Sequence, residues 1–149
     1  MRDELAKALT DAVKSKDKRR VCTLRLINAA IKDRDIANRG AGKDPVSEDD
    51  IRLILAKMVK QREESAQLYE EGNRLDLAEQ EREEIEIIRS FLPKQLDETK
   101  VKTACQQVIN EIGADGLRDM GKCMSTLKER FAGQMDFAKA SGIVKEMLQ

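Results

Sequence analysis

The sequence contains no histidine, and this absence excludes much of the chemistry that proteins perform near neutral pH. Histidine is the commonest general base, because its imidazole changes charge in that range. Without it no Ser-His or Cys-His nucleophile pair can form. A complete phosphate-binding loop is also missing, since Gly40-Ala41-Gly42-Lys43 has neither the full spacing nor a following Ser or Thr. We therefore expect no catalytic residues and no enzymatic activity from this chain by itself.

Cysteine is scarce as well: Cys22, Cys105 and Cys123 are far apart and form no Cys-x-x-Cys pair. This pattern favours neither a disulfide framework nor a zinc site. We expect three mostly buried thiols in a reducing compartment, with no metal and no other cofactor. No apolar stretch approaches the roughly 18 residues needed to cross a bilayer. The first residues, Met1-Arg2-Asp3-Glu4, are not typical of a signal peptide. These features predict a cytoplasmic protein without membrane association.

Aromatic residues make up only 3% of the chain, with no Trp, one Tyr and three Phe. Strands favour aromatic and β-branched residues, whereas this chain is rich in the helix formers Ala, Leu, Lys, Glu, Arg and Gln. A hydrophobic content of 40% is enough to build a core. The composition therefore predicts an all-α fold.

Seven segments show the periodicity of amphipathic helices. Ser47 and Asp97 precede two of them as N-caps, and Asp76 with Glu79 has the spacing of a capping box. Gly72-Asn73 is expected to end the third helix, in the manner of a C-terminal glycine. The predicted helices cover about residues 2–15, 18–38, 48–71, 77–91, 98–112, 119–131 and 136–149.

Leu92-Pro93 interrupts the pattern, since proline cannot continue a helix interior and restricts the residue before it. We place a domain boundary there. The prediction is an N-terminal bundle of about four helices over residues 1–94, followed by a small three-helix domain over residues 95–149. A domain as small as the second is marginal when alone.

Lys plus Arg and Asp plus Glu number 28 each, so the net charge is zero. A strongly basic protein would suggest non-specific nucleic-acid binding, and this total does not. Mildly basic ends flank an acidic middle, so an anionic partner must meet a local face. In the second helix Arg20, Lys32 and Arg39 are not all on one face. Arg25 and Arg62 are expected to pair with acidic residues of neighbouring helices.

Three sets of motifs are more specific than composition. The first is LRLINAAIK at residues 24–32. The second comprises QREES at 61–65, GNRLDLA at 72–78 and FLPKQL at 91–96. The third comprises DMGKCM at 119–124, GQMD at 133–136 and VKEML at 144–148. In this order and spacing, over essentially the whole chain, they resemble the GatB/YqeY family.

The resemblance implies a stand-alone YqeY-like protein, with a helical N-terminal domain and a C-terminal domain similar to the tail of the amidotransferase B subunit. That enzyme is a carbon–nitrogen ligase that converts Glu or Asp, mischarged on tRNA, to Gln or Asn, with glutamine as nitrogen donor. Its tail contributes to tRNA binding. Because the catalytic core has no counterpart in this chain, the resemblance implies tRNA contact rather than catalysis. An amidotransferase or an aminoacyl-tRNA synthetase is the protein partner that it suggests.

Residues of the third motif set and its surroundings form the candidate nucleic-acid site. A glycine at a helix start lets an anion approach backbone N–H groups, and nearby cations can contact phosphates. The alternative is that the glycines serve packing and capping while the lysines are only solvated. The candidate residues are Gly121, Lys122, Lys128, Arg130, Gly133, Lys139 and Lys145.

Three functions remain open at this point. The first is an RNA-associated accessory module that binds tRNA through a few salt-dependent phosphate contacts. The second is a protein–protein adaptor that uses the acidic third and fourth helices. The third is a subunit-like contributor to a glutamine-dependent amide-forming enzyme.

Overall fold

The computed structural model describes residues 1–149, and all of its regular secondary structure is helical. The all-α prediction is therefore confirmed. One short 3-10 helix, Leu117–Asp119, directly precedes the sixth α-helix. The seven α-helices are α1 Arg2–Lys14, α2 Lys18–Gly40, α3 Glu48–Glu71, α4 Leu75–Arg89, α5 Glu98–Ile112, α6 Met120–Phe131 and α7 Phe137–Leu148.

The chain divides into two compact units, Met1–Leu92 and Pro93–Gln149. We call them unit 1, which contains α1 to α4, and unit 2, which contains α5 to α7. The finer prediction assigns residues 1–94 and 95–149 to domains of four and three bundled helices. It stays a prediction that unit-by-unit unfolding can test.

Each unit has a hydrophobic core of its own. In unit 1 the fully buried side chains come from all four helices: Leu5, Leu24, Ile27, Ile51, Leu55 and Ile88. In unit 2 they come from all three helices: Cys105, Val108, Cys123, Leu127 and Val144. These residues follow the helical periodicity of the sequence, so burial of one stripe per helix accounts for most of the packing.

Two of the predicted N-caps are confirmed by their hydrogen bonds. The hydroxyl of Ser47 accepts from the backbone N–H of Asp50 at 3.2 Å, and the carboxylate of Asp97 accepts from that of Lys100 at 2.8 Å. Each bond satisfies an N–H group that the first helical turn leaves without a partner.

The helix α3 ends before Gly72, as predicted, but the turn into α4 differs from the prediction. Gly72 has φ −82°, and the left-handed residue is Asn73 with φ 59°. The chain therefore re-enters a helix early, and α4 begins at Leu75 without a side-chain cap. Asp76 is no N-cap; it pairs with Arg74 at 3.4 Å. The predicted capping box is wrong because Asn73, which tolerates a positive φ, reverses the chain first.

A half-buried ion pair joins α3 to α4. Arg62 Nε donates to Glu84 Oε2 at 3.0 Å, and Arg62 Nη1 donates to the carbonyl of Met58 at 3.4 Å. The predicted pairing of Arg62 is thus confirmed. The pairing predicted for Arg25 is wrong, because this side chain is exposed on α2 and makes no ion pair.

The thiols also differ from the prediction in one case. Cys105 and Cys123 are buried, and burial raises the pKa of both thiols. Cys22 is exposed on α2 instead. Its position follows from the helical register, since the neighbouring Thr23 and Leu24 take the inner face.

Candidate nucleic-acid interface

All seven predicted site residues belong to unit 2, but the structure spreads them over several surfaces. Four lie on α6, one in the turn that follows it, and two on α7. Some of these residues are exposed and unpaired, and could contact a ligand. Others already make contacts within the protein.

Gly121, Ser125 and Lys128 are exposed and recur at the i, i+4 and i+7 spacing that places residues on one side of a helix. Lys122 is exposed beside them. We call these four residues the α6 face. Neither lysine makes an ion pair or a side-chain hydrogen bond with the rest of the chain. Both cations are therefore available to an anionic ligand.

Gly121 occupies the first turn of α6, where no neighbouring atom requires a glycine. A Cβ added to it would meet nothing within 4 Å. Glycine inside a helix costs about 1 kcal/mol relative to alanine. The packing role considered for this residue is therefore absent in the isolated chain. What the glycine does provide is unobstructed access to the backbone at a helix start.

Arg130 lies away from the α6 face and pairs with Glu111 of α5, with Arg130 Nη2 2.6 Å from Glu111 Oε2. The hydrogen bond from Arg130 holds the pKa of the Glu111 carboxyl below its ordinary value. It also raises the pKa of the arginine. This guanidinium already has an anionic partner, so it offers less charge to a phosphate than Lys122 or Lys128.

Gly133 has a structural reason to be glycine. It is buried in the turn after α6 with φ 76°, a backbone conformation that is strained for residues with a side chain. Its carbonyl accepts a hydrogen bond from the side chain of Gln95. Nearby, the N–H of Leu96 donates to the carbonyl of Gln134 at 2.9 Å. Gly133 therefore positions the segment before α5 rather than a ligand.

Lys139 borders a groove of about 640 Å³ between the start of α5 and α7. The same groove is lined by Glu98, Asp136 and Glu146. These carboxylates reduce the attraction that Lys139 can exert on a phosphate. Lys145, in the last turn of α7, is exposed and makes no ion pair.

The carboxylate of Asp119 moderates the charge at the start of α6. Asp119 is the residue before the helix, and its side chain accepts from the N–H of Asp115 at 3.1 Å. Negative groups at a helix start compete with any bound anion for the helix dipole. Binding of a phosphate at the α6 face is thus expected to be weak and sensitive to salt.

Possible metal ligands and carboxyls with a shifted pKa are the other groups that could form a site. No three His, Cys, Asp or Glu side chains are grouped so as to hold a metal ion. Burial, followed by the charge of Glu84, raises the pKa of Glu81. That carboxyl is a single tuned group beside the Arg62–Glu84 pair. None of the helices combines the length and apolar character that a membrane span requires.

One surface was not predicted from the sequence. The sequence places Arg20, Lys32 and Arg39 on different faces of α2, and the structure shows which basic residues of this helix have partners. Arg19 pairs with Glu83 at 3.2 Å, and Arg20 lies 5.7 Å from the centre of the Phe91 ring. Four of the other basic residues of α2 are exposed along one flank, and their spacing of seven residues is the signal that could have revealed it: Lys18, Arg25, Lys32 and Arg39.

Comparison with known proteins places this architecture in a family. The family model described as Yqey-like protein matches residues 2–148. An uncharacterized protein of Schizosaccharomyces pombe is 34% identical over 91 residues, covering 60% of this chain and 70% of that protein. Altered inheritance of mitochondria protein 41 of Clavispora lusitaniae is 32% identical over 144 residues, covering 94% and 80%. Its namesake from Vanderwaltozyma polyspora is 27% identical over 150 residues, covering 95% and 79%.

The names of these relatives correct one expectation. Both of the proteins called altered inheritance of mitochondria protein 41 are mitochondrial. This finding overturns the cytoplasmic location predicted from the sequence, which rested only on features that the chain lacks. The family assignment itself is confirmed, because the match spans nearly every residue. The chain belongs to the family of YqeY-like proteins.

Proposed function

We propose that this YqeY-like chain is a non-catalytic accessory module that binds tRNA through the α6 face of unit 2. One observation carries the proposal: Gly121 has no internal reason to be glycine and lies beside two exposed, unpaired lysines. The resemblance of residues 95–149 to the tail of the amidotransferase B subunit supports the choice of tRNA. An amidotransferase or an aminoacyl-tRNA synthetase is the enzyme that such a module would assist.

The proposed contacts are to the phosphate backbone. The α6 face presents two cations and open backbone, but no aromatic side chain on which a base could stack. Phosphate contacts carry little sequence information. They weaken as salt rises, because the counterions that the protein releases from the phosphates are then released into a more concentrated solution. The module would therefore add affinity to a complex whose tRNA specificity resides elsewhere.

A tRNA titration at two salt concentrations tests the proposal directly. Bulk tRNA and mitochondrial tRNA are both used, because the two relatives named above are mitochondrial proteins. We expect binding at low salt that weakens steeply as salt is raised. Absence of binding to either tRNA at low salt would remove the proposed function.

A charge-matched pair of variants tests the surface. Lys122→Gln with Lys128→Gln removes two cations from the α6 face. The slope of log binding constant against log salt concentration should therefore become less steep by about 1.4–1.8. Lys102→Gln with Lys139→Gln removes the same formal charge next to carboxylates, since Lys102 Nζ lies 3.6 Å from Glu98 Oε1. This control should retain most of the binding. An equal loss in both variants would mean non-specific attraction rather than a site.

A further inference from the structure

The outer side of α2 carries an apolar stripe that the fold does not use. Cys22, Leu26, Ala29, Asp33 and Ile36 are all exposed. Leu26 and Ile36 keep 45% and 61% of their surface in contact with solvent. The core instead takes Leu24, Ile27 and Ile31 from the opposite side of the helix. Exposed apolar residues scattered singly are ordinary, but residues aligned along one helix face indicate a contact surface.

The spacing of this stripe is that of a helix–helix seam. Its members alternate between steps of four and three residues, which is the a and d pattern of a heptad repeat. Leu26 and Asp33 take the a positions, while Cys22, Ala29 and Ile36 take the d positions. The stripe runs from Cys22 to Ile36, which is about two heptads in the middle of the 23-residue helix.

Basic residues occupy every g position beside the seam. Lys18, Arg25, Lys32 and Arg39 recur at intervals of seven, and all four are exposed. None makes an ion pair or a side-chain hydrogen bond within the chain. In coiled coils the e and g residues choose the partner by charge, so this flank favours a helix with Asp or Glu at the facing positions.

The end of α1 widens the surface next to the first heptad. A groove of about 500 Å³ lies there, and Val13, 51% exposed, supplies a further apolar wall. Lys16 and Lys18 add cations, and no carboxylate lines the groove. Lys16 holds φ 58°, a left-handed conformation that places this non-glycine residue at the α1–α2 turn.

We infer that the outer face of α2 docks an amphipathic helix of another protein, with apolar residues along one stripe and acidic residues along its flank. The seam supplies apolar burial, the g-position cations supply the choice of partner, and Asp33 calls for one Lys or Arg at the matching position. This inference concerns unit 1 and goes beyond the tRNA contact proposed for unit 2.

Two other occupants fit less well. In an antiparallel pair of two α2 helices the g flanks would face one another, which places like charges together. In a parallel pair the cations would face the e positions of the second copy, which carry no charge and where Thr23 is fully buried: Thr23, Ala30 and Ala37. RNA would satisfy the cations, but it would leave the aligned apolar stripe without a role, because no exposed aromatic residue lies there for base stacking.

The exposed thiol of Cys22 provides the readout, since it lies on the seam while Cys105 and Cys123 are buried. The probe is a synthetic helical peptide of about three heptads with Leu at a and d and Glu at e and g. Its twin carries Lys at e and g. The rate at which a thiol reagent alkylates Cys22 in the full chain is followed by mass spectrometry.

We expect the Glu peptide to slow Cys22 alkylation and the Lys peptide to bind about tenfold more weakly or worse, since its charge pairs with the g-position cations become repulsive. Arg25→Glu with Lys32→Glu should reverse this preference. Leu26→Glu with Ile36→Glu should abolish protection by either peptide. These positions are exposed, so circular dichroism should show unchanged helix content.

Two control variants keep the test specific. Lys7→Glu with Lys57→Glu makes the same charge change at exposed lysines that make no ion pair. Leu68→Glu with Leu75→Glu alters apolar residues that are 67% and 62% exposed elsewhere in unit 1. Both should keep the preference for the Glu peptide. Equal protection by the two peptides would overturn the inference.

The rival occupants are measured in the same assay. Protection of Cys22 that grows with protein concentration, without peptide, would mean that a second copy covers the seam. Protection by tRNA equal to that by the Glu peptide would mean that the flank is an RNA surface. Either result overturns the inference, and the Lys122 and Lys128 variants separate it from the function proposed for unit 2.

Discussion

Unit 1 and unit 2 use their charges in different ways. In unit 1, arginines of one helix pair with carboxylates of another: Arg2 with Asp35, Arg19 with Glu83, Arg62 with Glu84, Arg82 with Glu70 and Arg89 with Glu63. In unit 2, Arg130 with Glu111 joins two helices, while Lys122, Lys128 and Lys145 are exposed and unpaired. Arginine suits such forked pairs, whereas lysine is a mobile point charge.

This difference helps to distinguish structural from interacting residues. A cation that reaches a carboxylate on a neighbouring helix contributes to packing, and a cation without such a partner is available to ligands. By this criterion the α6 face in unit 2 and the g flank of α2 in unit 1 are the surfaces to test. A neutral net charge conceals both of them.

The largest effect is expected from core substitutions, which test whether the two cores are separate. Leu55→Ala in unit 1 and Leu127→Ala in unit 2 each remove a fully buried side chain. We expect each to cost about 3 kcal/mol of unfolding free energy. Hydrogen exchange resolved by residue should show the loss in the substituted unit. Equal loss across both units would contradict the predicted domains 1–94 and 95–149.

The next largest effect is expected from loss of a half-buried ion pair, compared with loss of an exposed one. The side chains of Arg62 and Glu84 are only 15% and 13% exposed. Arg62→Met leaves Glu84 uncompensated in a half-buried site and should cost about 2–3 kcal/mol in urea unfolding. Adding Glu84→Leu should recover most of this loss. Arg130→Met, at a more exposed pair, should cost clearly less, and a larger loss there would reverse the comparison.

A smaller effect separates the two glycines of the candidate interface. Gly121→Ala should stabilise unit 2 by about 0.5–1 kcal/mol, because it restores helix propensity in open space. Gly133→Ala should destabilise it by about 1–2 kcal/mol, because alanine is strained at positive φ. Thermal unfolding measures both. If Gly121→Ala also weakens tRNA binding, the glycine serves the ligand; stabilisation without such weakening would argue against the α6 face.

The smallest effect concerns acid stability in unit 1. The Arg2 guanidinium, followed by the N–H of Val46, holds the pKa of Asp35 below its ordinary value. A lowered folded-state pKa gives stability above the unfolded pKa of about 3.9, and that stability is lost as pH falls through the folded value. Asp35→Asn should therefore be less stable than the parent at pH 7. The difference in stability should vanish in acid. If it persists there, the lowered pKa of Asp35 is not its cause.

Much of the helical layout could be predicted from periodicity and caps. Ser47 and Asp97 cap α3 and α5 because their side chains act on N–H groups only a few residues away. Asp76 failed as a cap because the left-handed Asn73 had already turned the chain into α4. Local patterns predict helices well, but neighbouring local patterns compete.

The candidate site could be predicted only in part. Gly121, Lys122 and Lys128 are found on the exposed surface of α6, as a ligand contact requires. Arg130 and Gly133 were chosen by type and position along the chain, but each has a partner or a conformation that explains it inside the fold. Their pairing depends on residues distant in sequence, such as Glu111 and Gln95, which no local pattern identifies.

The sequence by itself determined the all-helical class, most helix ends and the family, because these depend on local propensity and on motifs in order. The tertiary structure alone decided which side of each helix meets solvent. Both apolar stripes of α2 are present in the sequence, and packing against α1, α3 and α4 covers only one of them. Burial depends on what lies opposite a side chain, so one chain segment cannot determine it.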